Sequence, residues 1–93
     1  MPAVAILDRR QTLSERAFVE LKVWELPTPV RGSVHHYKYR LALILDDLCV
    51  LRYDNEAGKG DHKHLGPDEQ PYAFVSLEDL LADFWSDVTA RLE

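Results

Sequence analysis

The chain has one cysteine, no apolar run approaching a membrane span, no internal repeat and no surplus of cations. Each shortage removes a class of protein. A lone Cys49 makes no internal disulfide, so the stapling of small secreted domains is excluded and a reducing compartment is expected. The apolar stretches "AVAIL" and "LALIL" fall far short of the roughly 20 residues that cross a bilayer. No basic, apolar and small-residue series of regions opens the chain as a secretion signal would, and a cytoplasmic location with no membrane association is expected. With 11 Lys and Arg against 16 Asp and Glu, the net charge is -5, which argues against simple electrostatic adhesion to nucleic acid.

What remains is a small globular chain. Its 93 residues make a single domain, residues 1–93, and a domain this size buries only roughly two-thirds of the surface its unfolded chain exposes. Stability is therefore expected to be marginal and open to help from a partner. A hydrophobic share of 46% with 29% charged residues is the profile of a soluble fold rather than a disordered segment. The charge is unevenly spread. From Pro71 onward Glu78, Asp79, Asp83, Asp87 and Glu93 face only Arg91, whereas Arg31 to His64 carries six Lys or Arg against five acids, together with all four histidines. An acidic end and a histidine-rich, mildly basic middle suit different partners.

Periodicity gives the elements. "PAVAILD" reads as a short first strand and "RRQTLSER" as a polar turn. In "AFVELKVWELP", Val19, Leu21 and Val23 share one face and Phe18, Glu20, Lys22 and Trp24 the other, the alternation of a half-buried strand that Pro27 and Pro29 end. Val34 to Tyr53 reads as two strands joined at Asp46-Asp47. A two-residue turn there sets Ile44 opposite Cys49, Ala42 opposite Leu51 and Arg40 opposite Tyr53. His36, Lys38 and Arg40 then form a basic stripe backed by aromatics, and the hairpin is apolar on both faces near its turn. "SLEDLLADFWSDVTARLE" predicts a helix capped by Ser76, with Leu77, Leu80, Leu81, Phe84, Val88 and Leu92 as its apolar stripe and Asp79, Asp83 and Asp87 away from it. The expected class is α+β: a mostly antiparallel sheet of about four to five strands with a C-terminal amphipathic helix packed on one face. One helix covers one face, so the second face calls for a homodimer or another protein.

"RYDNEAGKGDHKH", Arg52 to His64, carries more chemistry than a connection needs. Two histidines two residues apart lie on one side of an extended segment, and imidazole transfers protons in either direction near neutrality. Cleaving RNA without a metal requires a base for the 2′-hydroxyl, an acid for the leaving oxygen and a cation on the phosphate. His62, His64, Lys59 and Asp61 are the candidate catalytic group; Lys38, Arg40, His36 and Tyr53 are the candidate RNA contacts. Gly58 and Gly60 let backbone NH groups approach an anion. Two other readings compete. Solvated loop histidines explain the composition without chemistry, and His62 and His64 with Asp61 or Asp54 would make a nitrogen and oxygen site for zinc or manganese. No metal or other cofactor is expected. Trp24, Phe84 and Trp85 read as core or interface residues, and Cys49 as a small buried hydrophobe.

The stretches "GSVHHYKYRLAL", "RYDNEAGKGDHKH", "QPYAF" and "LLADFWSDV", in this order, resemble the TumE-type toxin family of bacterial toxin-antitoxin pairs. The resemblance runs from about Trp24 to Val88 and is most specific between Tyr53 and His64. It implies a small cytoplasmic toxin encoded beside a helix-turn-helix antitoxin that neutralises it. The ribonuclease chemistry is read from the residues above and not from the resemblance. A non-enzymatic regulator that binds a helix-turn-helix partner is the alternative class.

Overall fold

A computed structural model describes residues 2–93. Six strands, β1 (Val4–Thr12), β2 (Ala17–Glu25), β3 (Tyr37–Leu45), β4 (Leu48–Asp54), β5 (His62–Leu65) and β6 (Asp68–Pro71), form one antiparallel sheet in sequential order. The helix α1 (Leu77–Leu92) follows and packs on one face. The expected α+β class holds, with six strands in place of about four to five because the segment after Asp54 adds the short pair β5 and β6. Among the described residues no helix is long and apolar enough to cross a membrane.

The alternation read in β2 is the organising pattern. Val19, Leu21 and Val23 are buried and pair with Leu43, Leu41 and Tyr39 of β3, which continue across to Leu51 and Tyr53 of β4. Leu80, Phe84 and Val88 of α1 close this face into one core. Ser76 caps the helix by accepting from the Asp79 backbone NH at 3.0 Å, and Glu78 and Asp79 lie in the first turn, where the helix dipole favours them. Two of the helix acids do more than face solvent. Asp83 accepts from the Tyr72 hydroxyl and Asp87 from the Tyr53 hydroxyl and from Lys63, tethering the helix to the sheet margin. Burial, reinforced by these carboxylates, pushes both phenols well above their ordinary pKa.

The β3–β4 hairpin turns at Asp46 and Asp47, both in the left-handed region at φ 51° and 65°, where a short polar side chain is tolerated best. Leu45 faces Leu48 and Ile44 faces Cys49, as expected, but the register then shifts by one, so that Leu43 faces Leu51, Leu41 faces Tyr53 and Arg40 faces Asp54. A bulge of this kind exchanges the faces of everything beyond it. Tyr53 therefore turns into the core and Arg52 and Asp54 turn outward, the reverse of the uninterrupted register. Cys49, before the shift, is exposed rather than buried. The first strand also runs farther than expected, through Thr12, and leaves Val4 and Ile6 exposed on an edge.

Candidate active site

The sheet face opposite the helix holds the unusual chemistry. Cross-strand pairing sets Lys22 beside Arg40, Arg40 beside Asp54 and Asp54 beside His62 in one row, and Arg52 beside His64 and His64 beside Glu69 in the next. Because paired residues project to the same side, Lys22, Arg40, Arg52, His62 and His64 share this face with Asp54 and Glu69. The acidic helix lies on the other side of the sheet. His62 and His64 do sit two apart on one side of an extended segment; the segment is a strand, so their spacing is fixed by the ladder.

Four side chains make the centre of the site. Asp54 is buried and presents Oδ1 to His62 Nε2 at 2.7 Å and Oδ2 to Arg52 Nε at 3.1 Å. His62 is itself buried, and its Nδ1 donates to the Gly60 carbonyl at 3.0 Å, an oxygen that can only accept. Arg52 Nη2 donates to His64 Nε2 at 3.0 Å, which leaves the His64 proton on Nδ1, the nitrogen nearer Glu69. The two imidazoles meet edge to face with centroids 5.0 Å apart. Neither histidine is a freely solvated loop residue.

The other expected catalytic residues fall around this centre. Lys59 is exposed and pairs loosely with Glu56 at 3.8 Å. Lys59, Asp61 and His62 line one surface depression with Glu69, Gln70 and Pro71. Asp61, however, spends its carboxylate on structure: Oδ1 accepts from Ser33 at 2.6 Å, and Oδ2 accepts from His35 at 2.6 Å and from the buried Tyr39 hydroxyl at 2.7 Å. Burial alone would raise the Asp61 carboxyl; the bonds from Ser33, Tyr39 and His35 outweigh it and hold the group below its ordinary value. His35 is oriented for this by the Tyr37 backbone NH, which donates to its Nδ1 at 3.1 Å, and by stacking on Phe74 with centroids 3.7 Å apart. Buried Asn55 completes the junction by accepting from the Tyr39 NH at 3.0 Å and donating to the Tyr37 carbonyl at 2.7 Å.

Among the expected RNA contacts, Lys38 and Arg40 lie on the open face, and Lys38 reaches the Asn55 carbonyl at 3.1 Å. His36 is outside the strand, with Nδ1 donating to the Leu26 carbonyl at 3.1 Å. Tyr53 requires correction: it is fully buried on the helix side and is not on the surface that Lys38 and Arg40 share. Beyond the residues expected from sequence, Arg52 and Glu69 join this candidate site, and Asp54, expected there only as a metal ligand, is the partner of His62. The available signal was the alternation of Arg52, Tyr53 and Asp54 set against His62, Lys63 and His64 across a short glycine-containing loop, which is an antiparallel pair with four polar side chains on one face.

The family model described as "Toxin TumE" matches residues 3–92, so the resemblance read between Trp24 and Val88 extends over nearly the whole chain. No curated protein and no solved structure matches it.

Proposed function

The chain belongs to the TumE toxin family, and from that premise we propose that it is a ribonuclease toxin whose site is the open sheet face around His62 and His64. The observation that carries this reading is the convergence of both histidines with Arg52, Arg40 and Lys38 on the face turned away from the acidic helix. A net charge of -5 is then no obstacle, because the acids of α1 lie behind the sheet from an approaching phosphate.

The reaction is metal-independent cleavage next to a ribose. Arg52, Arg40 and Lys38 hold the phosphate; when Arg52 turns to it, the His64 Nε2 lone pair is released to take the 2′-hydroxyl proton. The 2′-oxygen bonds to phosphorus, the bond from phosphorus to the 5′-oxygen breaks, and that oxygen receives a proton from the other histidine, leaving a 2′,3′-cyclic phosphate. His62, protonated on the Nε2 that pairs with Asp54, serves this second transfer by turning from Asp54 into the depression it lines with Lys59, which adds a cation near the leaving group. Asp54 positions His62, and Asp61 positions the loop that carries Lys59 and leads into β5.

The toxin family fits an antitoxin as neutralising partner, which in this reading is a helix-turn-helix protein. A homodimer over the β3–β4 hairpin is supported by Leu48, 66% exposed, and by exposed Cys49 beside it. Expression of the chain alone in a bacterial host tests the function. Growth arrest with fragmented RNA, abolished by His64→Ala, is expected; a protein that leaves growth and RNA intact is a regulator and not a ribonuclease.

A further inference from the structure

We propose that Asp54, His62 and His64 form a site for a zinc-class divalent ion that shuts the toxin off by occupying its histidines. The first ground is the state of His62. Its Nδ1 donates to the Gly60 carbonyl, which leaves Nε2 for one other partner, and Nε2 faces the Asp54 carboxylate oxygen at 2.7 Å. Both atoms are buried and neither completes a hydrogen bond of acceptable direction. A buried imidazole nitrogen and carboxylate oxygen aimed at one another bind a cation, and a divalent ion takes the place of the single proton that otherwise bridges them. A backbone carbonyl holding the opposite ring nitrogen is also how a metal-binding imidazole is commonly oriented.

The second ground is the donor set. One atom from each of Asp54, His62 and His64 lies within 4.8 Å of the others, and two imidazoles with one carboxylate suit zinc rather than magnesium or calcium, which take oxygen. The atoms must adjust around the ion, because ligands of a tetrahedral zinc stand about 3.3 Å apart. His64, near the surface, has room to do so.

The consequence follows from what the ion displaces. Arg52 now pairs by charge with Asp54 Oδ2 at 3.1 Å and donates to His64 Nε2 at 3.0 Å. An ion drawing those residues together competes with Arg52, repels its guanidinium and occupies the ring nitrogens that proton transfer needs. Binding thus removes a phosphate-holding cation and both proton carriers in one step. Ion binding rests on the geometry alone; inhibition rests on the ribonuclease reading above.

Zinc chloride titrated into the purified full chain by calorimetry, with cobalt(II) as a visible-absorption probe, tests the site without RNA. One ion per chain is expected, with affinity falling at least about tenfold in His64→Gln. His36→Gln, changed outside the cluster, keeps full affinity. Asp54→Asn is the second ligand variant, and His64→Gln carries the test where Asp54→Asn does not fold. Absence of uptake at sub-millimolar zinc, or equal loss in His36→Gln, overturns the site. In the cleavage assay zinc should suppress activity and a chelator restore it; stimulation by zinc overturns the inhibitory role. A chain that binds zinc but cleaves no RNA refutes the ribonuclease reading and its inhibition while leaving the ion site standing.

Discussion

Asp61→Ala is expected to destabilise the fold rather than merely slow a reaction. The Asp61 carboxylate joins Ser33 and His35 from the loop before β3, Tyr39 within β3 and the lead-in to β5. A hydrogen bond to a charged group contributes about 1.5–3 kcal/mol, and removing the acceptor leaves the buried Tyr39 hydroxyl without its partner. The three bonds share two oxygen atoms and are not additive, and the Asp61 side chain is 9% exposed, so water can fill part of the gap. A net loss of about 3–4 kcal/mol results, a large part of the roughly 5–15 kcal/mol that holds such a domain. At about 4–8 °C per kcal/mol for a chain of this length, the melting temperature should fall by roughly 12–30 °C. Thermal unfolding followed by circular dichroism at neutral pH measures it. The sign of the pH dependence is fixed by the lowered carboxyl: its contribution is fully present above the unfolded value of about 3.9 and is lost as pH falls through the lower folded value. The gap between wild type and Asp61→Asn should therefore be constant near neutrality and close in acid below about pH 4. An unchanged melting temperature in Asp61→Ala, or a gap that persists to the acid end, would falsify the structural role and return Asp61 to the catalytic group.

Four further outcomes are expected. His62→Ala and His64→Ala should each lower RNA cleavage by about 10²-fold or more, assayed below the variant's melting temperature; wild-type cleavage by the double variant ends the acid–base proposal. Changing Lys38 and Arg40 to Gln should weaken RNA binding and flatten its dependence on salt by about one unit of slope per lost contact, read from a salt series. Gly60→Ala should destabilise by at least about 1–2 kcal/mol, since φ is +76° and the added Cβ would stand 2.9 Å from the Gly32 carbonyl oxygen; a denaturant melt equal to wild type refutes that close approach. Sedimentation of the isolated chain should show a dimer that Leu48→Asp dissociates, whereas a monomer with no dye-binding apolar surface refutes the need for a cover.

The sequence by itself determined whatever depends on local periodicity and turn chemistry. Val19, Leu21 and Val23 had to face the core because their polar neighbours alternate with them, Asp46-Asp47 had to turn because both residues tolerate positive φ, and Ser76 had to open the helix whose Leu80, Phe84 and Val88 are buried. The shared face of His62 and His64 was legible for the same reason, the two-residue repeat of extended chain. Only the tertiary structure decided what stands beside them. The bulge in β4 places Leu51 and Tyr53 in the core that α1 closes, a packing between segments far apart in the chain, and no local pattern in "LCVLRYD" announces it. That single shift sends Tyr53 inward to Asp87 and brings Arg52 and Asp54 out against the histidines. Asp61 and His62 are likewise neighbours in sequence with opposite duties, because adjacent residues at the start of a strand point to opposite sides: one toward Ser33, His35 and Tyr39, the other toward Asp54.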